Sequence, residues 1–291
     1  MNERRVIRSA GLSATIKAQG AELTSLSGRG FDALWHGGPE WPRHAPVLFP
    51  TVGRLKDDTL IHEGKAYRLT QHGFARDSLF DWAEQSQSRA VLRLAESEAT
   101  LEAYPFRFLL EMIYEVEGDT LSVTSRITNP GEAVLPCGIG AHPAFKWPLA
   151  DGSAQEAHIL AFDKPEPGPA LSVEGGLLGP ALPPPVEGQV LPLAPGLFAN
   201  DALVIPDVAS RSVRFIARDE AGATMRELTV SWEGYKDLGI WSKPTGAPFL
   251  CIEPWFGMAS PLGWQGEFAE KPGILLLEPG RTRDFTWRVT L

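Results

Sequence analysis

The stretch FRFLLEMIYEVEGDTLSVTSRIT, residues 106–128, decides the fold. Phe106, Phe108, Leu110, Met112, Tyr114 and Val116 fall at every second position, and Arg107, Glu111, Glu115 and Glu117 fill most of the other face. A strand sends successive side chains to opposite faces, so this period reads as a strand with one face on a core and one in water. Glu117-Gly118-Asp119 interrupts it, and then Leu121, Val123, Ser125 and Ile127 resume the alternation. The two runs are expected to form a β-hairpin. The same spacing recurs in Val213-Phe215-Ala217, Leu228-Val230-Trp232 and Phe285-Trp287-Val289-Leu291. Only short pieces, such as residues 152–160, suit a helix.

Composition agrees. The 29 Gly and 25 Pro among 291 residues, with 9 Trp and 14 Phe, fit many short strands joined by turns better than long helices. The expected class is therefore all-β and antiparallel, as a sandwich or a barrel. Residues 164–196 are dense in proline and glycine and include ALPPPVEG. They read either as a linker between two domains or as a long irregular excursion within one, and nothing local decides. No repeat of solenoid or propeller length is visible.

Charge and cysteine content narrow the function. The net charge is -9 and no run of Lys or Arg forms a basic face, so neither nucleic acid nor another polyanion is an expected partner. Two cysteines, Cys137 and Cys251, are too few for a disulfide framework and suggest a reducing compartment or buried thiols. The opening MNERRVIRSAGLSATIK has no apolar core of signal-peptide length, and no run approaches the roughly 18 apolar residues of a membrane span. A cytoplasmic protein with no membrane partner is expected.

Four stretches place reactive side chains among glycines and aromatics: PVLFPTVGRLKDD with Arg54, LTQHGFARDSLF with His72 and Arg76, CGIGAHPAFKWPL with His142, and LGIWSKPTGAPFLCIEPWFGMASP with Glu253. Glu253 lies between Ile252 and Pro254-Trp255. It reads equally as a strand-end residue in an ion pair or as a carboxylate whose pKa burial adjusts. Pro143 biases His142 toward extended backbone, and Gly73 allows close approach beside His72. Each histidine is also readable as a hydrogen-bonded core residue. His36, His44, His62 and His158 are expected to be surface or structural. With no H-x-H, HExxH or CxxC, metal ligation reduces to a minority reading in which His72, His142 and Glu253 converge as two histidines and a carboxylate. Trp147, Trp241, Trp255 and Trp264 lie near polar or glycine-rich turns. Such a ring stacks on the C–H face of a sugar, although each alone reads more readily as core.

Together, PVLFPTVGRLKDD, QHGFARD, GIGAHPAFKWPL, NDALVI, LGIWSKP and CIEPWFG resemble the signature segments of the aldose 1-epimerase (galactose mutarotase) family, in its bacterial branch related to the hexose-6-phosphate mutarotases. The resemblance runs from GAELTSL at Gly20 to the end, and rests on the order and number of the segments. It implies one large antiparallel β-sandwich domain over residues 1–291, the galactose mutarotase-like supersandwich, with 164–196 an internal loop.

By the same resemblance Glu253 matches the general base, His142 the general acid, and His72 a second site histidine that binds sugar and supports the acid step. Arg54 matches a sugar-binding arginine, and Asp201 in NDALVI matches a carboxylate for sugar hydroxyls. Trp255 is the expected apolar platform. Arg76 is expected either to read a 6-phosphate or to pair with Asp77, the latter slightly favoured. The implied reaction opens a cyclic hemiacetal: a base takes the C1 hydroxyl proton, an acid protonates the ring oxygen, and the roles reverse after rotation about C1–C2. A carboxylate and an imidazolium are the expected pair. No cofactor and no metal are implied. The partner is a small-molecule sugar, free aldohexose or hexose 6-phosphate, with the protein a monomer or homodimer. The competing reading is a sugar-binding module without turnover.

Overall fold

The hairpin forms where the alternation places it. In a computed structural model describing residues 3–291, Leu109–Glu117 pairs antiparallel with Thr120–Thr128, from Leu109↔Thr128 to Glu117↔Thr120. The turn is Gly118-Asp119, with Gly118 at φ 54°. Leu110, Met112, Tyr114 and Val116 are buried on one side, as are Leu121, Val123 and Ile127. Alternation starts at Phe106 but pairing starts at Leu109. Phe106 and Phe108 are buried before the strand begins, in an aromatic cluster with Tyr104, Phe49 and Phe74.

This hairpin sits inside a nine-stranded sheet. Its order is Val190–Pro192, His158–Phe162, Ser212–Arg218, Thr224–Glu233, Thr282–Thr290, Thr120–Thr128, Leu109–Glu117, Arg89–Ala95, Asp81–Gln85. A second sheet runs Leu177–Leu182, Ala170–Glu174, Leu203–Ile205, Asp237–Trp241, Phe249–Phe256, Ile139–Ala141, Val47–Leu48, and Ala144–Lys146 also pairs with Phe249–Phe256. A four-stranded sheet forms the N-terminal part, residues 4–32. The inner faces meet in one hydrophobic cluster: Val123, Phe285, Trp287 and Val289 from the first sheet join Leu238, Ile240, Leu250 and Ile252 from the second. The protein is all-β and antiparallel, in the sandwich arrangement.

Burial outweighs the outer face. Hydroxyl pairs Thr120–Thr290, Thr124–Thr286 and Thr128–Thr282, each 2.8 Å apart, run up the solvent side. Such cross-strand pairs contribute roughly 0.2–1 kcal/mol each. Each large apolar side chain on the inner face contributes about 1.5–3 kcal/mol by leaving water.

Two local expectations need correction. Residues 152–160 are not helical: Gln155–Ala157 makes a single 3-10 turn and His158–Phe162 is a strand whose alternate residues enter the core. The α-helix lies instead at Glu98–Ala103, where Ser97 and Thr100 cap it reciprocally. The Pro/Gly-rich residues 164–196 are also more regular than a loop. They supply Ala170–Glu174 and Leu177–Leu182 to one sheet and Val190–Pro192 to the other. No helix among the described residues is long and apolar enough to cross a membrane.

Candidate active site

The strand Phe249–Phe256 is buried on both faces. Leu250 and Ile252 point into the main core. The odd positions point the other way: Phe249 and Cys251 pack with Trp35 and Ala144, and Trp255 packs with Leu48, Val52, Leu178 and Val204. Strand parity therefore carries Glu253 to the face opposite the core, between Cys251 and Trp255. Gly239 lies across from Glu253 in the neighbouring strand. A Cβ on Gly239 would stand 2.3 Å from the Trp255 ring, so the missing side chain is what seats the indole.

His142 follows the strand Ile139–Ala141, which pairs with the same Glu253 strand. Its Nδ1 is 3.3 Å from Glu253 Oε2, with both side chains out of solvent. The Trp41 indole stacks on the His142 ring at 4.9 Å and 29°, and Trp241 meets it edge-on at 5.7 Å. The contact lacks hydrogen-bond alignment. His142 Nδ1, Glu253 Oε2 and Trp255 Nε1 are all buried without a hydrogen-bond partner among the described residues.

His72 approaches from a turn in which His72 (φ 66°) and Gly73 (φ 68°) are both left-handed. A Cβ on Gly73 would stand 2.3 Å from the Phe49 carbonyl oxygen, so glycine is required there on two counts. The turn is pinned to Gly53: His72 N–H donates to Gly53 O (2.8 Å), and Gly53 N–H donates to His72 Nδ1 (3.1 Å). A ring nitrogen that accepts from an amide carries no proton. His72 is therefore the neutral tautomer with hydrogen on Nε2. Its ring centroid is 5.7 Å from that of His142.

These groups line a cavity of about 250 Å³. Its walls include His72, His142 and Glu253, and also Arg76, Asp201 and Trp255. Asp201 sits at φ 75° with Oδ1 accepting from Ala202 N–H (2.9 Å). Arg76 donates from Nη2 to the Gln71 carbonyl (2.7 Å), and its Nε is 3.7 Å from Asp77. Asp77 has a better partner in Arg43, at 2.9 Å. The expected Arg76–Asp77 pair is thus not what holds either side chain.

Arg54 departs from its expected place. It does not line the cavity. Its guanidinium forks onto Asp58 (Nε–Oδ1 2.7 Å, Nη2–Oδ2 3.2 Å) and reaches the Gly175 carbonyl at 3.3 Å. The carboxylate four residues on captures a group that the sequence assigned to sugar. Conversely, Trp41, Gln71, Val173, Gly176 and Leu178 line the cavity without having been singled out. Trp41 lies in a proline-flanked loop with no periodicity, and the last three belong to the Pro/Gly-rich stretch.

Burial controls the protonation of the central pair. It lowers His142 to about 3, helped by the positive charges of Arg76 and Arg43 against small opposing contributions from a backbone hydrogen bond and Glu22. It raises Glu253 well above the usual carboxylate range. The Trp255 indole, close enough to polarise the carboxyl though not aligned to bond it, offsets part of this, and the Asp201 charge adds to it. Burial, His142 and the two arginines also press His72 well below 6.5. A carboxylate–imidazolium pair was expected. In the closed, empty pocket both members favour the neutral form, because withdrawal from water costs more than a 3.3 Å contact returns.

His142, Cys251 and Glu253 offer donor atoms within 4.8 Å of one another, which makes them the group closest to a metal-ligand set among the described residues. His72 is not part of it. The minority expectation of His72, His142 and Glu253 as ligands is therefore replaced by a different trio. Cys251, fully buried, has its thiol pushed far above its ordinary value, which opposes the thiolate that a metal needs.

Comparison with known proteins places this geometry. A family model described as Aldose 1-epimerase matches residues 4–164. The plasmid protein LacX of Lactococcus lactis subsp. lactis is 30% identical over 292 residues, covering 96% of each chain. Among solved structures, a galactose mutarotase-like protein from Lactobacillus casei superposes with a TM-score of 0.90 at 28% identity, covering 99% of both chains. A galactose mutarotase related enzyme from Lactobacillus acidophilus gives 0.89 at 27% identity, covering 99% of this chain and 97% of that one.

Proposed function

The chain belongs to the aldose 1-epimerase family, and from that premise we propose that it interconverts the α and β anomers of an aldohexose, with Glu253 as base, His142 as acid and His72 as a donor to the sugar. The observation that carries this reading is the set of three unsatisfied polar atoms, His142 Nδ1, Glu253 Oε2 and Trp255 Nε1, buried against one cavity. A buried polar atom without a partner costs about 1–3 kcal/mol, so such a set persists for a ligand that completes it. A polyhydroxylated ring supplies donors and acceptors together, and its C–H face suits the Trp255 and Trp241 rings. The cavity draws on residues before and after 164–196, which supports reading residues 1–291 as one functional unit.

The proton inventory fits ring opening. In either form the pair holds a single exchangeable proton: carboxylate with imidazolium, or carboxylic acid with neutral imidazole. The first form precedes opening. Glu253 takes the C1 hydroxyl proton as its O–H bond breaks and the carbonyl forms, while His142 gives its proton to the ring oxygen as the C1–O5 bond breaks. The pair then stands in the second form, which burial favours. Closure on the other face after rotation about C1–C2 reverses both transfers. His72, with hydrogen on Nε2, is a donor for a sugar oxygen throughout and needs no charge.

Proton NMR on freshly dissolved α-glucose and α-galactose tests the reading. The protein is expected to accelerate anomerisation, and Glu253→Gln and His142→Gln each to lower kcat by roughly 10²–10⁴-fold. Sugar binding without acceleration, unchanged by Glu253→Gln, would instead make the protein a binding module. A second reading is favoured by Arg76, whose guanidinium lines the cavity while Asp77 is held by Arg43. A planar fork facing a sugar site suits a 6-phosphate. Glucose 6-phosphate should then be preferred over glucose, and Arg76→Ala should abolish the preference while leaving glucose turnover.

A further inference from the structure

The hairpin Ala170–Glu174 and Leu177–Leu182 turns at Gly175 and Gly176, both with positive φ (60° and 85°), as a two-residue turn with left-handed central residues requires. It lies at the edge of its sheet, yet Val173, Gly176 and Leu178 reach the cavity. Its tip is fastened almost entirely through Arg54 and its neighbours. Arg54 N–H donates to Gly176 O (3.3 Å) and Ser260 N–H donates to Arg54 O (2.9 Å). Leu178 exchanges backbone bonds with the following segment, donating to Ser260 O and accepting from Leu262 N–H, both at 2.9 Å. The Arg54 side chain completes the clasp by bonding the Gly175 carbonyl while Asp58 fixes its other end. Gly176 has no side chain where the Arg54 stem passes, and a Cβ would come within 3.2 Å of it.

The wall this tip forms limits the cavity. At about 250 Å³ it falls below the roughly 300–1,000 Å³ of clefts that hold drug-sized ligands, so it accommodates one sugar ring and not two. We propose that this hairpin is the specificity wall confining the site to a monosaccharide, and that Arg54 is a positioning residue which latches the hairpin tip instead of contacting the sugar. The substrate arm of this inference rests on the anomerisation reading above, whereas the latch does not.

The experiment uses the full chain with Arg54→Ala, Arg54→Lys and Asp58→Asn. Amide hydrogen exchange over residues 170–182 needs no sugar and reads the latch directly. NMR anomerisation of α-glucose, maltose and isomaltose reads the wall. Wild type is expected to act on glucose and to leave both disaccharides at the buffer rate. Arg54→Ala and Asp58→Asn should both speed exchange at 170–182 roughly fivefold, the scale of an exposed ion pair. Both should raise KM for glucose with kcat held, and raise the disaccharide-to-glucose rate ratio roughly tenfold. Arg54→Lys should fall between them and wild type. Unchanged exchange in Asp58→Asn overturns the latch, and this variant loses only a half-exposed contact should Arg54→Ala not fold. A higher KM in Arg54→Ala with wild-type behaviour in Asp58→Asn overturns it too, by making Arg54 a direct sugar contact. Disaccharide turnover by wild type overturns the wall. If no sugar is turned over, the anomerisation reading fails while the exchange data still decide the latch.

Discussion

Glu22 is the buried carboxylate whose removal has the most calculable result. It stands just ahead of the strand Leu23–Gly28, fully out of solvent, and accepts from the backbone N–H of His44 (2.6 Å) and Ala45 (3.1 Å) while pairing with Lys17. Those two amides end the loop that carries Trp41 over His142. Burial alone would raise Glu22. The His44 imidazole, Lys17 and the backbone donors overcome it and hold it down from 4.5 to about 2. His44 Nδ1, at 3.7 Å, is beyond hydrogen-bond reach and acts only through space. At about 1.4 kcal/mol per pKa unit, the depression corresponds to at most about 3 kcal/mol of stability. The sign follows from a folded pKa below the unfolded one: the stabilisation is complete above the unfolded value of 4.5 and is lost as pH falls toward 2. Glu22→Gln should therefore lower unfolding free energy in urea by about 2–3 kcal/mol at pH 7, with the gap to wild type closing steadily below pH 5. It should also loosen Trp41, seen as faster amide exchange in the 38–45 segment. A difference that stays constant between pH 7 and pH 3 would falsify the assignment of this stabilisation to the Glu22 charge.

Other consequences are as direct. Gly239→Ala places a methyl against the Trp255 ring at 2.3 Å, so calorimetry should show a loss of about 1–3 kcal/mol and titration a weaker sugar affinity. Trp41→Ala removes the ring stacked on His142 at 4.9 Å; kcat is expected to fall roughly tenfold with little change in KM, as the imidazole loses its orientation. The pH profile of kcat/KM should be flat from pH 7 down to pH 4.5, because burial lowers His142 to about 3. It should decline on the alkaline side, where the pair loses its one proton as the raised Glu253 ionises. A midpoint near 6.5 on the acid side, measured by polarimetry corrected for buffer catalysis, would count against a buried His142.

Strands with one wet face were legible because the chain writes their burial at period two. Leu109–Glu117, Thr120–Thr128 and Thr282–Thr290 fall where the alternation puts them. Phe249–Phe256 is legible as a strand but not as to which residues face which side, since both faces are apolar. The helix Glu98–Ala103 rests on a Ser97–Thr100 cap and buries no residue, so it leaves no hydrophobic stripe to read. At the site, His72, His142 and Glu253 are distinctive side chains in glycine- and proline-marked settings, and the structure brings all three to one cavity. Arg54 and Arg76 show the limit. Both are arginines in similar surroundings, and only the three-dimensional positions of Asp58, Asp77 and Arg43 determine which one turns toward the cavity.

The double-sided strand Phe249–Phe256 also divides the protein's tolerance to change. Leu250 and Ile252 belong to the main core, while Glu253 and Trp255 belong to the cavity. A saturation library over this one segment should sort into two interleaved classes. Variants at 250 and 252 should fail by lost expression, and variants at 253 and 255 should remain soluble with altered chemistry. New sugar preferences would then be sought by randomising alternate positions only, with the intervening residues left as the unchanging frame.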